Sequence, residues 1–490
     1  MEHGTYEQFQ NPAKCCRSGV AGVRKGLGEN SVVIRCQSFS LVDKVRGYGQ
    51  RQGKFMKKAQ PAAGTPETAS HNAGPERIMI HIGVFLVCFL ILYSRRPDAI
   101  LNAQFYAEDG ARWYRDAYQL GWRCLLVPET GYLQTVSRLT GLFAQIFPLL
   151  LAPLVMNLCA LCVEILPVNL FLSRRFDAIP MMLRFIGCLL YLGIPNSIEV
   201  HANTTNIQWH LGLICVLMML GSAPSGRWRV AGDVVALVLL SLDSPLGWLL
   251  IPVAAILWWK KREKRVAIYL AAVIPGALLQ AMVLLLSQAH GREAAVVGAN
   301  VTRLTGILGG QVFLSAVLGV RTLAHLFLLG NPNLLFWLQL SAMCVGIVLT
   351  LFGMRYAPFP VRLFFLFAAG VLVLALSRPV AGPDVHFPQW QYLQIPGRSS
   401  RYYFFPILAF YALLFSLVSL GKRGTARGVR IVALAILLAV PIGVYRDWKY
   451  PRYPDLHFRE YADRFERAQP GTSITIPILP PGWQMDLVKH

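Results

Sequence analysis

Apolar residues in this chain come in unbroken blocks, not in the alternation of a half-buried strand. Blocks approaching membrane length recur at 78–94, 152–172, 181–195, 207–221, 231–243, 246–259, 266–286, 333–353, 362–377, 402–420 and 431–445. A bilayer core about 30 Å thick calls for about 20 residues of helix. The pattern therefore predicts an all-α polytopic membrane protein. Blocks 132–150 and 310–329 are ambiguous, because they carry Gln134, Arg138 and Gln145, and Arg321 and His325.

Basic residues arbitrate between the topologies. If both ambiguous blocks are re-entrant or interfacial, then SRRF (173–176), GRWR (226–229), KKREKR (260–265), Arg355 with Arg362, and KRGTARGVR (422–430) fall on one side. Counting either block as a full span turns a series of basic loops to the other side. The positive-inside trend then predicts about eleven transmembrane helices, with the N-terminus cytoplasmic and the C-terminus external. The short blocks 231–243 and 246–259 alternatively form a re-entrant pair around LDSPLG, which leaves this parity unchanged. Every long polar stretch is then external: 95–131, 196–206, 287–309, 378–401 and the tail from 446.

Composition agrees with a membrane assignment. Hydrophobic residues make up 55% of the 490, and charged residues only 15%, against about 25% charged in soluble domains. The net charge of +22 sits in short clusters between apolar blocks, and no recognition fold carries it, so no nucleic-acid partner is expected. Cys159 and Cys162 form a CxxC within an apolar run, where they read as small packing residues. Residues 1–77 read as a basic cytoplasmic tail, disordered by composition over 60–76, with a second candidate start at Met56. The remainder divides into a transmembrane domain, 78–445, with external loop 95–131, and a small external C-terminal segment, 446–490. In that segment HFREYADRFERA has helical spacing and ITIPI has strand composition. Some 45 residues are too few for a large core of their own, so this α/β appendage is expected to dock on the membrane body.

Candidate chemistry lies in the external stretches. Glu108 and Asp109 precede ARWYRDAYQLGW, which reads as a juxtamembrane helix with Trp113, Tyr114, Tyr118 and Trp122 at the headgroup level. A carboxylate there is placed to take a proton from an attacking hydroxyl. Equally, Asp109 reads as a helix N-cap. In NSIEVHANTTNIQWH (196–210), His201, Asn203 and Asn206 suit sugar hydroxyls and Trp209 suits a sugar face; the alternative is a solvated loop capped by Asn206. Arg398, Arg401 and Arg303 are external cations suited to phosphate, with interfacial snorkelling as the alternative. Asp384 and His386 are lesser candidates, and Asp243 in LDSPLG reads as a helix-end cap.

The stretches FYAEDGARWYRDAYQLG, GYLQTVSRLTGLFAQIFP, NTTNIQW, GRSSRYYFFP and GTSITIPILPPGW together resemble the GT-C class of integral-membrane glycosyltransferases, and in particular a bacterial group of GT-C-like membrane proteins. The resemblance in topology covers about 78–490; the motif resemblance rests mainly on 104–135. It implies an inner-membrane enzyme that moves a sugar from a polyprenyl-phosphate donor to a glycan, lipid or protein acceptor. It makes Asp109 the expected base and Glu108 a neighbour that tunes it or helps a metal. The acids read Glu-Asp and not D-x-D, which weakens the case for a divalent cation. A transporter or flippase of lipid-linked sugars, or a non-catalytic scaffold, is the alternative; the absence of an evident repeat counts against a transporter.

Overall fold

The computed structural model describes residues 75–287, 295–379, 381, 386–419 and 427–490. Most of the predicted basic tail, together with Asp384, lies outside these. Among the described residues, eight helices are long and apolar enough to cross a membrane, and the C-terminal segment forms a two-stranded antiparallel sheet. The apolar blocks become α1 (Pro75–Arg95), α3 (Ala152–Leu172), α4 (Met181–Leu192), α5 (Ile207–Leu220), α6 (Arg227–Asp243), α7 (Leu246–Lys261), α8 (Lys264–Leu286), α9 (Pro332–Tyr356), α10 (Phe359–Ser377), α11 (Phe404–Val418) and α12 (Arg427–Arg446). Proline opens α3, α9 and α10 within their first two positions, where its missing N–H leaves no intrahelical bond unmade.

The helix ends gather on two faces. On the basic face Arg175, just after α3, pairs with Asp233 of α6 at 2.8 Å and donates to Met218 and Ser222 carbonyls. Arg265 donates to Gly221, and Lys260 lies over Phe359. On the opposite face Arg95, at the end of α1, donates to the carbonyls of Leu192, Ile194 and Trp448. There too the Gln389 amide donates to Val296. The polar stretches that the sequence assigns to one side do share one face of the bundle.

The two ambiguous blocks take different forms. Only Thr135–Ala144 (α2) is helical in the first, about 15 Å of helix. Two of its polar residues have partners: Arg138 pairs with Asp116 at 3.0 Å and lies 5.0 Å over the Trp113 ring, and Gln145 donates to the Tyr114 carbonyl. The second is divided differently from the sequence reading. A helical run covers Val301–Leu318, Gly319 breaks it at φ +81°, and Val320–Leu328 follows. The run is long and apolar enough to span. Yet Arg303 near its start bonds to Gln391, and Gly319 at its end packs on Asp447. Both partners belong to the loop-rich face, so the two ends of the run contact residues of the same face.

The C-terminal segment comprises α13 (Phe458–Arg467) and a hairpin, β1 (Ser473–Ile478) with β2 (Trp483–Val488), in register Ser473↔Val488 through Ile478↔Trp483. β2 is an addition to the sequence reading, which saw one strand. The segment does not fold on itself. Phe458, Phe465, Ile476, Ile478 and Met485 build a second core with Phe105, Trp113, Tyr114 and Met156. This overturns the headgroup-level placement of Trp113 and Tyr114, which are 0% and 3% exposed. Their rings are covered by protein. Trp122, 73% exposed, keeps the outward position.

Candidate active site

The acidic pair sits in a turn clamped by the C-terminal hairpin. The Leu479 amide donates to the Phe105 carbonyl at 2.9 Å, and the Ala107 amide donates back to Leu479. Ala107 has φ +47°, left-handed backbone that reverses the chain before Glu108. Gly110 follows because a Cβ there would stand 2.8 Å from Phe105 Cβ and 3.1 Å from Ile478. From Asp109 a π-helical turn runs to Tyr114 and an α-helical one from Arg115 to Leu120.

Asp109 is 1% exposed and does not cap its own helix. Its Oδ1 accepts from the Thr205 amide, the Thr205 hydroxyl and the Thr204 hydroxyl, each at 2.7 Å, and Oδ2 accepts from the Thr204 amide at 3.1 Å. Burial pushes its pKa up to about 6, against the opposing pull of the Thr204 and Thr205 bonds. Both oxygens are thus committed to the 196–206 loop.

Glu108 has a different environment. Its side chain is half-buried, accepts from its own backbone amide, and makes no hydrogen bond or ion pair to any other described residue. Burial raises its pKa; its own backbone amide, Arg401 and Arg112 oppose that rise and Glu129 adds to it. A carboxyl raised in this way is a stronger base when ionised. Arg112 is itself tied to Glu129 at 3.0 Å.

Arg401 stands within electrostatic reach of Glu108 and is held by a residue absent from the sequence-level candidates. Glu199 accepts from the Arg401 guanidinium at 3.0 Å and from the Ser399 amide at 2.9 Å. Ser399 is left-handed at φ +52°, so the turn aims both groups at Glu199. The signal for Glu199 was available, since it is the one acid in an Asn- and His-rich loop. Arg398 lies 5.4 Å from the Tyr392 ring centre. Tyr106, next to the acidic turn, is within reach of both Glu199 and Arg401.

The remaining candidates separate. Asn203 donates to the Glu199 and His201 carbonyls, and Asn206 donates to the Glu199 carbonyl and to Asn203 Oδ1. Asn206 does not cap α5 with its side chain; both amides brace the loop. His201 is buried against Glu164 of α3, its Nδ1 3.1 Å from Oε1. Trp209 is buried, 6.0 Å from the Tyr402 ring, and its indole N–H has no partner among the described residues. Arg303 donates to Gly298 and Gln391, which latches two loops together away from the acids. Asp243 accepts from the Val136 and Ser137 amides, so it caps α2 and not its own helix. His386 is exposed.

Among the described residues no three His, Cys, Asp or Glu side chains come together as metal ligands. No protein-family model matches the chain, and no curated protein is significantly similar to it.

Proposed function

We propose that this protein is a GT-C-like membrane glycosyltransferase that moves a sugar from a polyprenyl-phosphate donor to an acceptor at the loop-rich face. On this reading α1 and α3–α12 are eleven spans in a bacterial inner membrane, with the basic face cytoplasmic and the C-terminal segment external. The observation that carries the proposal is Glu108: a half-buried carboxyl bonded to no other described residue, in reach of an arginine that Glu199 holds in place.

The chemistry is a single displacement. The acceptor oxygen attacks the anomeric carbon while Glu108 takes its proton. The bond from that carbon to the phosphate oxygen breaks, and the electron pair leaves with the lipid phosphate. Arg401, with Arg398 beside Tyr392, offsets the phosphate charge. One displacement inverts the anomeric centre. The base role moves here from Asp109 to Glu108, because both Asp109 oxygens already accept bonds from Thr204 and Thr205. Asp109 fixes the turn that presents Glu108.

One observation favours the transporter alternative. Glu164, His201 and His210 form a buried ionisable group inside the bundle, a hallmark of coupled transport. Reconstituted vesicles offered a panel of radiolabelled polyprenyl-phosphate sugars separate the two. Glycosyl transfer with release of polyprenyl phosphate supports the enzyme; movement of intact lipid-linked sugar with no product supports the transporter.

A further inference from the structure

Residues 199–205 hold both halves of the proposed site. Thr204 and Thr205 bind Asp109 at one end, and Glu199 binds Arg401 and Ser399 at the other. Between them the loop reaches down to α3. His201 Nδ1 lies 3.1 Å from Glu164 Oε1, and the Ala202 amide donates to Oε2 at 3.4 Å. Burial holds the His201 imidazole below its usual pKa, against the pull of Glu164, so its Nδ1–H donates from a neutral ring.

Glu164 is 5% exposed in an apolar membrane helix, where a carboxylate is costly unless its partners are fixed. Its side-chain bonds among the described residues all go to the loop and none to another helix. Arg95 and His210 stand within electrostatic reach, and the Tyr191 hydroxyl bonds the Glu164 backbone carbonyl at 2.6 Å. The Tyr450 ring covers His201 at 5.1 Å. Two donors from successive loop residues converge on two oxygens, which an apolar side chain at 164 leaves unmatched.

We infer that Glu164 is a positioning residue that, through His201 and Ala202, seats the 199–205 loop and thereby sets Glu108 against Arg401. Its effect on turnover rests on the glycosyltransferase reading; its effect on the loop does not. The test compares wild type, Glu164→Gln, Glu164→Ala and His201→Phe in nanodiscs, by amide hydrogen exchange and by transfer kinetics. Gln keeps an acceptor for the Ala202 amide and offers an N–H that His201 Nδ1 accepts after a change of tautomer, so it should leave both readouts within about threefold of wild type. Glu164→Ala should speed exchange at 202–205 by about tenfold or more while the other segments keep their protection. It should also lower kcat by about tenfold or more with donor KM little changed, as misplacement of a reacting group does. His201→Phe empties Oε1 without altering α3 and should move both readouts the same way. Unchanged exchange at 202–205 in His201→Phe and Glu164→Ala, or Gln as damaging as Ala, overturns the inference. A wild type that transfers no sugar defeats the functional reading alone, and the exchange comparison still decides the positioning role.

Discussion

Replacing each acid of the pair in turn should give opposite outcomes. In Asp109→Ala four donors lose their acceptor: the Thr204 and Thr205 amides and both hydroxyls. The hydroxyls can turn elsewhere, but the amides are fixed by the backbone beside a residue that is 1% exposed. An unsatisfied buried amide costs about 1–3 kcal/mol, so two of them set the loss of stability at about 2–6 kcal/mol. Glu108→Ala removes a side chain that bonds to no other described residue, and its cost should stay within about 0.5 kcal/mol. Its transfer rate, by contrast, should fall about 10²–10⁴-fold, the usual share of a general base. Thermal unfolding in nanodiscs reads the first quantity and turnover per folded protein the second. If Asp109→Ala is as stable as wild type while Glu108→Ala is strongly destabilised, the assignment of roles is wrong.

Further outcomes follow from the same contacts. Asp109 has a folded pKa of about 6, above the ordinary carboxylate value of about 4, so the native state holds this proton the more tightly. Its contribution to stability is full below about pH 4 and is lost as pH rises through about 6, some 3 kcal/mol in all; unfolding profiles of wild type and Asp109→Asn should converge at the acid end, where Asn matches the protonated carboxyl, and separate as pH rises through about 6, and parallel profiles would count against it. Arg401→Lys keeps the charge but loses the planar fork that meets Glu199 and phosphate, and should raise donor KM about tenfold; an unchanged KM removes Arg401 from donor binding. Gly141→Ala puts a Cβ 2.4 Å from the Trp113 carbonyl oxygen and should cost about 1–3 kcal/mol by forcing α2 from the acid-bearing helix, read by thermal unfolding. Ile476→Ala, at a fully buried position of the second core, should cost about 2–5 kcal/mol and expose the C-terminal hairpin to limited proteolysis.

The helices were legible because each block had to bury its length in something apolar, and hydropathy records that directly. Whether the apolar partner is lipid or protein leaves no such trace. Trp113 and Tyr114 have the composition of a headgroup belt, yet the hairpin at 473–488 covers them, and pairing over that sequence distance is invisible to local pattern. The run 301–318 has the length of a span; only its contacts at Gln391 and Asp447 bring both ends to one face. At the site, residue type located the acids, the polar loop and Arg401. It could not rank Asp109 against Glu108, because that depends on which carboxylate the threonines reach. Glu199 was marked as the one acid of its loop, but its role came only with the bonds from Ser399 and Arg401.

The most direct test of Glu108 as the base is a single-turnover assay. Purified wild type and Glu108→Gln, each in excess over radiolabelled polyprenyl-phosphate sugar, are mixed with that donor and an envelope acceptor fraction, and released polyprenyl phosphate is followed with time. The account predicts release and glycosylated product in equal amounts from wild type, and release slowed about 10²-fold or more in the variant with donor binding retained. Undiminished release from Glu108→Gln would contradict it.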